Sequence, residues 1–384
     1  MKKFLSIGST LFVVATMSGP AMAGTAPESP ASEVKSLTMK QNEGAAVLKS
    51  KISEKLPEWL AEYDVPSAAI AYIADGKVAW THVDGDAQPG KAASAKTLYN
   101  IASMTKPLVA ETVMRLAKSG ALTLDEPMAG SWVDPDIKSD PRHKLLTPRM
   151  ALVHRTGFPN WRYQTKDVLT FKNDPDSKFG YSGEGFQYMA RFAEKKMNLP
   201  LETLVAQQIF EPAGMTESSF TEKPWFAGRI AMSRNRKGEH AHATVRKDWN
   251  AADDVWSTIG DYARFLTWVM ANPVDARSDE AYWTAKENLG GQICGEGRLA
   301  AEVCPKSLGF VGGWNVYHTA DNVIVMHGGG DIGERTLGFF DPVNKTGAVI
   351  FTNGANGQKV IRETVKILYP DPSFVAFMNL QAGG

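Results

Sequence analysis

The sequence predicts an α+β protein: an antiparallel β-sheet built from both ends of the chain, flanked by helices, with a mostly helical domain inserted between its two halves. Two observations carry this. Strand-like runs cluster in the early part of the chain and again after residue 300, while residues 121–250 carry helical patterns broken by Pro- and Gly-containing loops. No internal repeat is visible, which excludes a solenoid.

The elements follow in order. Residues 1–23 read as a secretory signal peptide: Lys2 and Lys3, an apolar run from Phe4 to Val14, and the small-x-small site Ala21-Met22-Ala23. That run is too short to span a bilayer. The expectation is export to the periplasm or beyond, with no membrane insertion once the signal is removed. Residues 24–45, rich in Ala, Ser, Pro and Glu, read as a flexible tail. A helical period in Val47, Ile52, Leu56, Trp59 and Leu60 predicts a helix over 46–62. PSAAIAYIADGKVAWTHVDG predicts two strands about the turn Asp75-Gly76. An amphipathic helix is predicted over 103–119, stopping at Gly120. Another covers 258–271, strands cover 309–318, 322–327, 336–341 and 346–353, and a closing helix covers 357–369. The sheet domain is therefore 46–120 with 251–384, and the inserted helical domain is 121–250.

Composition narrows the function classes. Of 384 residues, 43% are hydrophobic and 22% charged, ordinary for a globular chain. Forty-two Lys and Arg balance forty-two Asp and Glu, so the basic excess of a nucleic-acid-binding protein is missing. The partner expected is a small-molecule or peptide substrate, and the oligomeric state stays open. Cys294 and Cys304 are ten residues apart in QICGEGRLAAEVCP, and in an exported chain such a pair predicts a disulfide. A metal there would need further strong ligands, and no His stands beside the pair. His240 and His242, in GEHAHA, lack a third ligand and read as a solvated loop.

Ser103-Met104-Thr105-Lys106 opens the helix after TLYNIA. Positions i and i+3 share a helix face, so hydroxyl and amine can touch. A serine is a weak nucleophile until a base takes its proton, and an uncharged lysine amine can serve. The same residues also suit a helix cap with a solvated lysine. A second copy, Ser32 to Lys35, falls in the tail and reads as chance.

The wider pattern separates these readings. TLYNIASMTKPLVAETVMRLAKSGALTLDEPM, MALVHRTGFPNW, FGYSGEGFQYMARFAEKKMNLPLETLVAQQIFEPAGMTESSF, WSTIGDYARFLTWVM and HGGGDIGERTLGFFDPVNKTGAVIFTNG occur in order. They resemble the serine hydrolases of the class C β-lactamase, penicillin-binding-protein and esterase family. The resemblance implies the serine β-lactamase/DD-peptidase fold and a serine hydrolase that needs no metal or organic cofactor. It implies Ser103 as the acylated nucleophile, Lys106 as its proton partner and Tyr181 as the tyrosine of the second box. His327-Gly328-Gly329 then matches the third box, with the N–H groups of Gly330 and Ser103 as oxyanion hole. Lys345-Thr346-Gly347 spells the family's third box but sits in a turn, and reads as a decoy. His154 reads as structural, as its counterpart is in the family.

Three departures matter. Gly183 stands where the second box usually has Asn, and His327 where β-lactamases have Lys; both favour an esterase or D-amino-acid peptidase over an efficient β-lactamase. A penicillin-binding sensor with little turnover is the other alternative. Asp253 and Asp254 replace the small residues usual before Ser257-Thr258. They are candidates for contacts to a cationic substrate group, and they suit a structural loop equally.

Overall fold

The computed structural model describes the backbone of residues 30–383 except 242–244, 275–284 and 296–297, and side chains from Gly44 onward, Ala241 excepted. The predicted signal peptide, most of the predicted tail, Ser32 and His242 lie outside the described side chains. Contacts define Gln41–Gly384 as one compact unit and the residues before it as another. No described helix is long and apolar enough to cross a membrane.

Helix α1 (Pro30–Tyr63) begins well before the predicted residue 46. The hairpin β1 (Ser67–Ala74) and β2 (Lys77–Gln88) turns at Asp75-Gly76, both with positive φ, as the Asp-Gly signal requires. Two-residue strands follow, β3 (Lys91–Ala92) and β4 (Tyr99–Asn100), then α2 (Thr105–Lys118). The inserted region holds short helices, α3 (Pro148–Leu152), α4 (Gly183–Met197), α5 (Leu201–Val205) and α6 (Glu211–Ala213), separated by 3-10 turns and loops. It also holds the small strands β5 (Ser218–Ser219), β6 (Ser233–Arg234) and β7 (His240–Ala241). Beyond it come β8 (Trp256–Ser257) and α7 (Ile259–Ala271), capped by the Thr258 hydroxyl.

The C-terminal part supplies β9 (Ser307–Val311), β10 (Trp314–His318), β11 (Val323–Gly330), β12 (Arg335–Asp341) and β13 (Thr346–Thr352), then α8 (Gly357–Leu368) and α9 (Pro372–Gln381). The eight-stranded sheet runs β3-β2-β1-β13-β12-β11-β10-β9, so the two ends of the chain meet where β1 pairs antiparallel with β13. This is the predicted architecture. One strand prediction fails: 309–318 is two strands, because Gly312 and Gly313, both at positive φ, turn the chain back on itself. Helix α9 was not anticipated.

One apolar cluster on the α2 face joins sheet residues such as Val349 and Phe351 to Phe186, Leu201 and Phe220 of the insert. The insert therefore packs into the same core as the sheet. A second cluster on the other face packs Leu337, Phe339 and Ile350 against α1, α8 and α9. Burying such side chains is worth roughly 1.5–3 kcal/mol each. The two faces alternate along β12, a regularity that places the site residues.

Candidate active site

Ser103 stands in the 3-10 turn Ala102–Met104 that leads into α2, and that turn is held from several sides. Asn100 Oδ1 accepts the Ala102 N–H at 2.8 Å, and Ala102, fully buried, has a φ of 47°. A non-glycine residue in the left-handed region persists only where its surroundings enforce it. Here the Ala102 side chain packs against Gly329 of β11, the Thr336 hydroxyl donates to Ile101 O at 3.0 Å, and the Tyr262 hydroxyl donates to Met104 O at 2.9 Å. A Cβ at Gly329 would collide with Ile101 O, so glycine is what lets β11 approach the nucleophile's turn.

Lys106 is completely buried. Its Nζ donates to Ser103 Oγ at 3.0 Å and to Ala252 O at 2.8 Å. The predicted i, i+3 contact exists, and Lys106 is not a solvated lysine. Above it lies Tyr181, its ring centroid 4.7 Å from Nζ. His154 holds the tyrosine's segment: Nδ1 accepts the Ser182 N–H at 3.1 Å, and the imidazole lies against the Tyr181 ring with centroids 4.3 Å apart. Burial, then Lys106 and His327, push the His154 pKa well down, so it is a neutral, structural residue.

Ser103, Tyr181, His327 and Gly328 to Gly330 line one cavity of about 440 Å³. β10 pairs with β11 only as far as Asn315 opposite Met326, so among the described residues the β11 edge from His327 to Gly330 has no strand beside it there. An extended backbone can pair along such an edge. His327 is 3% exposed. Its Nδ1 is 2.8 Å from Gly328 O, which makes Nδ1 the donor and leaves Nε2 as a buried acceptor without a partner. Burial first, and Lys106 second, push its pKa down to about 3, so this position carries no positive charge.

The two aspartates separate. Asp254 is buried, with its carboxylate bonded to Asn100 Nδ2 at 3.0 Å and to Arg246. It secures the turn before Ser103, in keeping with the structural-loop reading that the sequence left open beside the substrate contact. Among the described residues Asp253 has no such ion pair; its Oδ1 accepts the Asp254 N–H at 3.0 Å. Burial, then Asp254 beside it, push its pKa up to about 7. Oxygens of Asp253, Asp254 and Asp331, the residue after Gly330, lie within 4.8 Å of one another.

Lys345 is exposed in the β12–β13 turn with a φ of 53°, apart from the cavity. Cys294 and Cys304 form the expected disulfide, Cα atoms 5.9 Å apart. Sequence reasoning missed Trp161, although it lies in the quoted HRTGFPNW. Its indole fills the space beside Gly183, 2.7 Å from where a Cβ would stand, and so accounts for the absent Asn. It also missed Ala252 O, Arg335 and α9, which lines the cavity through Phe377, Met378 and Gln381.

Against known proteins, the model of the family described as Beta-lactamase matches residues 50–368. The chain is 25% identical over 232 residues to Esterase EstB of Burkholderia gladioli, covering 50% of this chain and 59% of that protein. It is 25% identical over 220 residues to the D-alanyl-D-alanine-carboxypeptidase/endopeptidase AmpH of Escherichia coli K12, covering 51% and 56%. These matches span little more than half of each relative. A D-alanine carboxypeptidase AmpC from Burkholderia cenocepacia superposes with a TM-score of 0.65 at 20% identity, over 81% of this chain and 95% of that one, which shows a shared fold.

Proposed function

Because this chain belongs to the Beta-lactamase family, we propose that it is an exported serine hydrolase that acylates Ser103 with ester or amide substrates, of the esterase or D-amino-acid peptidase type. The observation that carries the reading is the bond from the buried Lys106 Nζ to Ser103 Oγ, made inside the cavity that the free edge of β11 closes.

Ser103 Oγ attacks the carbonyl carbon and gives its proton to Lys106. The oxyanion is held by the N–H groups of Ser103 and Gly330, where losing one donor typically costs about 3–4 kcal/mol. The C–O or C–N bond of the leaving group then breaks, and its heteroatom receives the proton by way of Tyr181, which lies over Lys106. Water cleaves the acyl-enzyme by the same proton path in reverse, releasing the acid and restoring Ser103.

Gly183 and the uncharged His327 support esters and peptides over β-lactams. The relatives named for esterase and D-alanyl-D-alanine-carboxypeptidase activities agree with that direction. Asp253, with Asp331 close by, remains available to a substrate amine. Export rests on the sequence of residues 1–23 together with the disulfide.

A panel of p-nitrophenyl esters, D-amino-acid amides, D-Ala-D-Ala peptides and nitrocefin, run beside Ser103→Ala, tests the reading. Steady turnover of esters or D-peptides that disappears in Ser103→Ala supports it. One acyl equivalent followed by silence identifies a slow-turnover sensor instead.

A further inference from the structure

The cavity at Ser103 extends past the free edge of β11 to the opposite face of the sheet. Thr336 and Arg335 are neighbours on β12 and point to opposite faces. Thr336 reaches Ile101 beside the nucleophile, whereas the Arg335 Cβ lies 3.1 Å from the Cβ position of Gly357, at the start of α8. The guanidinium then lies against Gly330, with Nη1 3.6 Å and Cζ 3.8 Å from the position a Cβ would take there. Between the two faces the passage is open, because Gly328 has nothing nearer to its Cβ position than Thr336 O at 3.7 Å. Leu337, Phe377 and Met378 give this arm of the cavity apolar walls, and Gln358 lines the cavity with Arg335.

Arg335 donates from Nη1 to the backbone oxygens of Asp331 and Glu334. Among the described residues no carboxylate lies within ion-pair distance of it, although Asp331 and Glu334 are near enough to act on it through space. Burial, with Arg236 nearby, lowers its pKa, as expected for a guanidinium whose charge is not fully compensated. On the Ser103 face the position of the family's lysine holds the uncharged His327, and Lys106 is engaged by Ser103 and Ala252. Arg335 is therefore a cation of the cavity that forms no ion pair with a described carboxylate and serves no catalytic partner.

We propose that Arg335 is a specificity residue that binds a carboxylate at the far end of the leaving group. The substrates are esters or amides whose leaving group has an apolar body, seated on Leu337, Phe377 and Met378, and an anionic end. The carboxylate is remote from the scissile bond, because it must cross Gly328 to reach the α8 face. The proposal rests on the reading that Ser103 is acylated.

The test uses a matched pair of esters, para-acetoxyphenylacetate and para-acetoxyphenylacetamide, which differ in the charge of the distal group. The native protein is expected to favour the carboxylate by about tenfold in kcat/KM, the worth of one charge-assisted hydrogen bond. In Arg335→Gln that ratio falls to about one, and in Arg335→Lys it is partly kept. Calorimetry on Ser103→Ala with para-hydroxyphenylacetate and its carboxamide reads the same preference without chemistry, and Arg335→Gln in that background removes it. A native ratio near one, or a ratio unchanged by Arg335→Gln in both assays, overturns the proposal. An Arg335-dependent binding preference without any turnover keeps the subsite and defeats the acyl-enzyme reading.

Discussion

Replacing Asp253 by Asn stabilises the protein at pH 8 and leaves it almost unchanged at pH 4. Burial, and then Asp254, raise the carboxyl from 3.8 to about 7 in the folded chain. Well below 3.8 the group is protonated both folded and unfolded and costs nothing, and at pH 4 only a small part of the penalty has developed. As pH rises toward 7 the unfolded chain ionises while the folded one resists, so stability is lost progressively; above 7 the penalty is constant. At 1.36 kcal/mol per pH unit the ceiling is about 4 kcal/mol. Asp253 is not fully buried, and Asn keeps an oxygen for the Asp254 N–H, so about 2 kcal/mol is the expected gain. Urea unfolding of both proteins at pH 4, 6 and 8, flanking the value of about 7, measures it. A gain equal at all three pH values would refute the electrostatic account and point to packing. A loss at pH 8 would mean that Asp253 is held by a favourable cation.

Other outcomes follow from the same geometry. Lys106→Met should lower kcat by about 10²–10⁴, the range for losing a positioned proton acceptor, in ester assays on folded protein. Gly329→Ala should lower the melting temperature, by about 1–3 kcal/mol of stability, because its Cβ meets Ile101 O and Thr336. Gly330→Ala, with its nearest neighbour an Arg335 side-chain carbon at 3.5 Å, should keep the melting temperature within a degree or two of native, as expected for about 0.5 kcal/mol. Lys345→Ala should stay within about 0.5 kcal/mol and His327→Ala should lose about tenfold or more in kcat/KM; the reverse order would mean that the third box lies elsewhere.

The legible parts were those written in local pattern. The apolar runs of β11 to β13, the Asp75-Gly76 turn and the stop of α2 at Gly120 are short-range signals, and the sheet followed from them. Ser103, Lys106 and Tyr181 were legible because they recur in fixed motifs. Gly312-Gly313 was read through as strand, although two adjacent glycines are themselves a turn signal. What sequence could not show is what long-range packing decides. Trp161 excludes a side chain at Gly183 from 22 residues away, and Arg246 claims Asp254. Helix α9 has no strong apolar stripe, since its apolar residues surround it, and Arg335 reads as an ordinary strand residue until the alternation of β12 turns it toward α8.

The central claim is that Ser103 is the residue that becomes acylated. The direct measurement is intact-protein mass spectrometry after exposure to a fluorophosphonate, followed by peptide mapping. The account predicts one adduct per chain, on Ser103, absent in Ser103→Ala and strongly slowed in Lys106→Met. An adduct mapped to any other serine, or labelling that persists in Ser103→Ala, would contradict it.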